Sequence, residues 1–206
     1  GGSLKDEGNQ ASENYVSEQD AAFYARLYQK QGIRGGHVIL LNKEGSEYYE
    51  ATRQQALGAL RTYPGGLQIG GGIHPENAAE YLDAGASHVI VTSYVFRDGK
   101  MDRDHLKQMI DAVGAEHLVL DLSCRKKGND YYIVTDRWQK FTEVVLNTAV
   151  LDELSEFCAE FLIHAVDVEG KARGIEKPLA EMLGAWNGIP VTYAGGIGSF
   201  EDLREL

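Results

Sequence analysis

At 206 residues, with 43% hydrophobic and 25% charged side chains, the chain has enough apolar content to bury a substantial core as one domain spanning residues 1–206, and no apolar run long enough for a membrane span. Its net charge of −11, from 31 acidic against 20 basic residues, argues against a nucleic-acid surface, which needs basic stripes, while leaving room for a small anion held by backbone amides. Two scattered cysteines, an N-terminus without a signal-peptide pattern, and six histidines lacking metal-ligand spacing exclude a disulfide framework and leave a cytosolic, metal-free protein as the expectation.

Residues 1–16 are polar and read as a loop. Ser17 followed by Asp20 resembles a capping box that opens a helix running to about residue 31, where Gly32 stops it. The apolar run His37-Val38-Ile39-Leu40-Leu41 predicts a short strand, and residues 48–63 a helix ended by Pro64-Gly65-Gly66. The alternation continues with a strand at 67–69, a helix at 75–84, a strand at 88–92, a helix at 102–113 and a strand at 117–121. A longer insert follows, in which residues 130–135 carry β-type side chains and pair as a short extension. A helix at about 148–158, a strand at 161–165, a helix near 177–186, a strand at 190–193 and a last helix starting at Ser199 complete the chain.

Six apolar strands separated by amphipathic helices indicate a parallel sheet covered by helices, because strands buried on both faces read as continuous apolar runs. The fold expected is an α/β (β/α)8 barrel of which about six of eight strands are present, the first strand and the last strand-helix unit being absent from the given sequence. The alternative is an open doubly wound sheet with one ligand site at a topological switch point.

Two glycine turns carry the strongest signal. Gln68-Ile69-Gly70-Gly71-Gly72-Ile73 and Thr192-Tyr193-Ala194-Gly195-Gly196-Ile197 each place glycines between a strand and a helix, and Gly71 and Gly195 lie 124 residues apart. That offset is about half of a ~250-residue barrel. Backbone amides and a helix N-terminus converging at each turn suggest two phosphate cradles and a substrate with a phosphate at each end.

In such a barrel the chemistry sits at the C-terminal ends of the strands. Asp121, after Leu118-Val119-Leu120, is either a catalytic carboxyl with a raised proton affinity or a structural aspartate bonded to loop amides. Thr92 and Ser93 either complete the Gly71-Gly72 cradle or cap a helix. His164, Asp167 and Glu169 end another strand, ahead of a glycine-containing loop that either closes over substrate or is merely solvated. Trp138, in the insert, either stacks on a heterocycle or packs on a helix. Cys124 reads as a small residue near a strand end more readily than as a nucleophile.

The segments His37-Val38-Ile39-Leu40-Leu41, Gln68 to Ile73, Val89-Ile90-Val91-Thr92-Ser93, Asp121-Leu122-Ser123-Cys124-Arg125-Lys126, Phe161 through Gly170, and Tyr193-Ala194-Gly195-Gly196 together resemble the eukaryotic-type phosphoribosylformimino-5-aminoimidazole carboxamide ribotide isomerases of histidine biosynthesis. The resemblance runs nearly end to end. It implies a cofactor-free Amadori rearrangement of an aminoaldose to an aminoketose, on a substrate with two ribose phosphates, by a protein that is monomeric in the family. In that family an aspartate ending the first barrel strand is the general base and one ending the fifth is the general acid. By position Asp121 is the acid, Trp138 covers the imidazole carboxamide end, Gly71 and Gly72 hold one phosphate, and Gly195 and Gly196 the other. Arg125, His164, Asp167 and Glu169 are expected loop contacts.

The resemblance also implies departures. The strand bearing the partner base lies upstream of Gly1, the eighth strand lies beyond Leu206, and bacterial relatives carry a Thr and a later Asp where this chain has Ala165 and Glu169. A catalytically incomplete, phosphate-binding fragment is therefore the competing expectation, and the related cyclase of the same pathway, imidazole glycerol phosphate synthase, is a third.

Overall fold

The computed structural model describes residues 2–4, 11–13, 17–171 and 174–204. Its centre is a six-stranded parallel sheet: β1 (Gly36–Ile39), β2 (Leu67–Gly70), β3 (His88–Val91), β4 (Leu118–Asp121), β5 (Glu160–His164) and β6 (Val191–Ala194). The strands lie side by side in sequence order. An open doubly wound sheet reverses its order at a switch point, so this unidirectional winding identifies a partial (β/α)8 barrel.

Seven helices connect and flank the strands: α1 (Ala21–Gln31), α2 (Tyr49–Thr62), α3 (Pro75–Asp83), α4 (Arg103–Val113), α5 (Thr148–Leu154), α6 (Lys177–Ala185) and α7 (Phe200–Arg204). Their starts are chemically marked. Asp20 caps α1 by accepting from Phe23 N at 2.7 Å, Asp102 caps α4 by accepting from His105 N at 3.1 Å, and Asn147 caps α5 by accepting from Val150 N at 3.0 Å. Pro75 and Pro178 sit in the first turns of α3 and α6, where a missing N–H is harmless. The expected Ser17 capping box is corrected: Asp20 is the cap, and Ser17 Oγ accepts from Gln19 N and from the Tyr24 hydroxyl, both at 2.8 Å.

The expected loop at residues 1–16 is also corrected where it is described, since Gly2–Leu4 pairs antiparallel with Ala11–Glu13. Residues 1, 5–10 and 14–16 lie outside the described residues. Two antiparallel features extend the expected elements, and the second contains the pairing expected at residues 130–135. Phe96–Arg97 pairs with Lys100–Met101, and the insert after β4 is a three-stranded antiparallel sheet of Cys124–Lys127, Asp130–Thr135 and Lys140–Val145.

Alternation along the strands sorts side chains to two cores. Val89, Val91, Leu118, Leu120, Phe161 and Ile163 face the helices in the main core. Ile90, Val119 and Leu162, with Ala194 against them, form a separate small cluster that fills the inside of the curled sheet. Below that plug, toward the strand starts, lies a polar floor: Gln68 Nε2 and Thr192 Oγ1 each donate to Glu160 at 2.7 Å, with the His37 and His88 imidazoles within electrostatic reach of the same carboxylate. Above it, at the strand ends, stand Thr92, Asp121 and His164. The apolar plug separates this polar floor from the mouth at the strand ends, the end at which barrels of this class carry their active sites.

Candidate active site

Asp121 is the last residue of β4 and shares the inner face with Val119. Thr92 Oγ1 donates to its Oδ2 at 3.1 Å and Ser123 Oγ donates to its Oδ1 at 2.9 Å, so each carboxyl oxygen has a hydroxyl partner. Burial pushes the Asp121 carboxyl above the usual carboxylate range, against the His164 charge and the Ser123 and Thr92 hydrogen bonds, which pull it down. A buried carboxyl that holds its proton more tightly than a solvated one, fixed by two hydroxyls, can deliver that proton to an oxygen placed at the barrel mouth.

The Thr92 hydroxyl therefore donates to Asp121 and not toward the Gly71-Gly72 turn. Its carbonyl accepts from Val95 N and Phe96 N in a turn, so it caps no helix either. Ser93 is exposed beside it. Ser123 was legible only as part of a motif. Its spacing of two residues from Asp121, across a strand end, was the signal that a hydroxyl could fold back onto the carboxylate.

His164 ends β5, two residues beyond Leu162, the register partner of Asp121. Its Nε2 lies 3.1 Å from Glu169 Oε2, an ion-pair distance without the alignment of a hydrogen bond. Burial alone would lower the imidazole, but the Glu169 and Asp121 carboxylates outweigh it and raise its proton affinity above the ordinary value. Glu169 is held below the usual carboxylate range, chiefly by the same imidazole.

Trp138 sits in the turn between Asp130–Thr135 and Lys140–Val145, not against a helix, which removes the helix-packing alternative. Its ring meets the His164 ring edge-to-face with centroids 5.2 Å apart. Asp136, Arg137 and Trp138 all have positive φ, at 53°, 55° and 68°. Three successive non-glycine residues in that region cost on the order of 1–2 kcal/mol each. Arg125 holds the turn in place: its Nη1 donates to Trp138 O at 3.4 Å while its Nε donates to Asp167 Oδ1 at 2.9 Å. Asp167 Oδ2 also accepts from Lys126 N at 2.9 Å. Asp167 is thus a strut between the insert and the loop after β5. Burial pushes the Cys124 thiol up to about 12, which removes it as a nucleophile.

The two glycine turns differ. Gly71 has φ +94° and a Cβ there would lie 2.0 Å from Leu40 O, whereas Gly72, at φ +68°, faces open space. Asn77 organises this turn, its Oδ1 accepting from His74 N and its Nδ2 donating to Gly72 O, each at 3.0 Å. At the second turn, Cβ atoms on Gly195 and Gly196 would meet Ala165 O at 2.6 Å and Gly174 O at 2.1 Å. There the Asp202 carboxylate already accepts from Gly198 N and Ser199 N, both at 2.9 Å. The expected helix N-terminus is thus occupied at the second turn, so the two turns are not equivalent anion sites. A carboxylate three residues into a helix after Ser199 was the available signal.

A family model described as histidine biosynthesis protein matches residues 4–206. A Medicago truncatula protein named 1-(5-phosphoribosyl)-5-((5-phosphoribosylamino)methylideneamino) imidazole-4-carboxamide isomerase, chloroplastic, is 51% identical over 201 residues, covering 98% of this chain and 63% of its own length. Isomerases of the same name from Neurospora crassa and Saccharomyces cerevisiae are 40% and 39% identical, with 79% and 72% of their lengths covered.

Proposed function

The chain belongs to the histidine biosynthesis protein family, and we propose that it carries the aldose-ketose isomerase chemistry named for its relatives, with Asp121 as general acid. The observation that carries this reading is the Asp121 carboxyl at the barrel mouth, raised by burial and fixed by Thr92 and Ser123. In the reaction proposed, the acid gives its proton to the ribose ring oxygen as the C1–O bond breaks. The nitrogen lone pair forms the C1=N bond, and loss of the C2 proton then gives the enolamine, which becomes the ketose when C1 takes up a proton and the C2 hydroxyl gives one up. No cofactor enters this sequence.

The substrate of this reading is bis-phosphorylated, with one phosphate at the Gly71-Gly72 turn and the other at Gly195-Gly196. Among the described residues the N–H groups of Gly71 and Gly72 donate to no protein acceptor, which supports the first site. Trp138 would cover the heterocycle. The other carboxylates at this end, Asp167 and Glu169, are engaged by Arg125 and His164, so we assign the base to neither. That observation favours a second reading for the 206 residues taken alone, as a phosphate-binding portion that needs a base from outside the described residues. The relatives quoted carry the isomerase name and not that of the cyclase. No described helix is long and apolar enough to cross a membrane.

In the full-length protein, Asp121→Asn is expected to lower kcat by roughly 10²–10⁴-fold, the usual contribution of one general acid, with KM changed little. Turnover within threefold of the parent would remove Asp121 from the acid role.

A further inference from the structure

Asp121 becomes a buried anion at the moment it gives up its proton, and an unpaired carboxylate in such a place is costly. Thr92 and Ser123 supply hydrogen bonds but no charge. Among the described residues, His164 is the ionisable base whose charge acts on Asp121. His164 projects from the neighbouring strand, its ring under Trp138 and its Nε2 against Glu169. Nothing else in the mechanism uses it. We propose that His164, its Nε2 held against the Glu169 carboxylate, is a positioning residue for the Asp121 acid, its imidazole steadying the carboxylate that forms as the proton leaves. This inference rests on the assignment of Asp121 as the acid.

The pair is placed for that role by the fold. Glu169 lies at the end of the short helical turn Val166–Val168, which the Arg125 to Asp167 ion pair ties to the insert. The loop thereby fixes Glu169, Glu169 fixes the imidazole, and the Trp138 ring closes the imidazole's other side. Among the described residues, the charged groups facing His164 are Asp121 and Glu169. Asp121 is also sensed by His37 and by Cys124, and Glu169 by the Tyr193 phenol. Burial lowers the His37 imidazole, keeps the Cys124 thiol up at about 12 and raises the phenol, so these three stay neutral near pH 7. The His164 imidazole and the Asp121 and Glu169 carboxyl groups are left as the groups that couple.

The test separates coupling from catalysis. In the full-length protein with ¹³C-labelled aspartate side chains, the Asp121 carboxyl is titrated by NMR in the parent, His164→Gln and Glu169→Gln. With the imidazole gone, the Asp121 midpoint should move upward, and kcat should fall about tenfold with KM within threefold. That is less than the ~10²–10³ contributed by a donor that touches the developing charge. In Glu169→Gln the imidazole midpoint should fall and that of Asp121 should rise in turn, and this variant keeps the test open if His164→Gln does not fold. An unmoved Asp121 midpoint in a folded variant overturns the inference. Failure of the acid assignment would show instead in Asp121→Asn, which retains turnover in that case whatever the midpoints do.

Discussion

The raised Asp121 carboxyl ties catalysis to stability. An unfolded aspartate ionises near 3.9, whereas in the fold burial holds the proton to higher pH. The stabilisation from this group is therefore complete below the unfolded value and is lost as pH rises through the folded one, so at neutral pH the acid weakens the fold it serves. Asp121→Asn keeps the shape without a charge to bury: its Oδ1 accepts from one of the two hydroxyls, and its Nδ2 donates to the other, whose O–H must turn away. Its thermal midpoint should exceed the parent's at pH 8, and the gain should shrink as pH falls through the folded value and the parent takes up its proton. Scanning calorimetry across that range checks it. A variant less stable at pH 8 would mean that the paired charge, not the buried acid, dominates the site.

Among the elements, those whose signals are local were legible in the chain. Asp102 and Gly32 mark helix ends through bonds to residues three or four positions away, Pro75 marks one by lacking an N–H in the first turn, and the buried parallel strands read as apolar runs. In the insert the pairing strand at residues 130–135 was legible from its β-type side chains, but the partner strand Lys140–Val145 was not, because the turn leading to it carries no common signal: Asp136-Arg137-Trp138 turns with positive φ and no glycine. The Asp98-Gly99 pair, both at positive φ, did carry a hairpin signal, and the short pairing around it follows from that chemistry. The Thr92 to Asp121 bond was hidden because it depends on how neighbouring strands are staggered. The same distinction separates two glycines. In Gly71→Ala a methyl would enter 2.0 Å from Leu40 O, so the turn must distort and folding should be lost or severely weakened. In Gly72→Ala the methyl meets open space, and the cost is about the 1–2 kcal/mol of a left-handed alanine. If the first turn holds phosphate, Gly72→Ala should fold and raise KM, read by steady-state kinetics alongside a melting curve. An unchanged KM would move the phosphate elsewhere.

For the molecule as a whole, the sequential six-stranded sheet leaves β1 and β6 as edges among the described residues. Beside β1, Leu41 is 77% exposed and Ile39 45%, next to a groove of about 260 Å³ lined by Ala21, Val38 and Ala56. Beside β6, Phe200 is 81% exposed and Leu203 55%, next to a groove of about 300 Å³ lined by Leu183, Val191 and Tyr193. Unpaired parallel edges flanked by apolar grooves are templates for further pairing. The charge of −11 opposes association, by repulsion that salt screens within about 10 Å at 0.1 M. The 206-residue chain expressed by itself should therefore self-associate, and more strongly as salt is raised. Sedimentation velocity at low and high salt measures this. Leu41→Lys with Phe200→Lys should return the chain toward monomer, although the change also lowers its net charge and so weakens the repulsion. That opposition sharpens the comparison, because a monomeric double variant at high salt can be explained only by loss of the apolar edges. A parent chain that stays monomeric at every salt concentration would mean that the described edges are covered in solution.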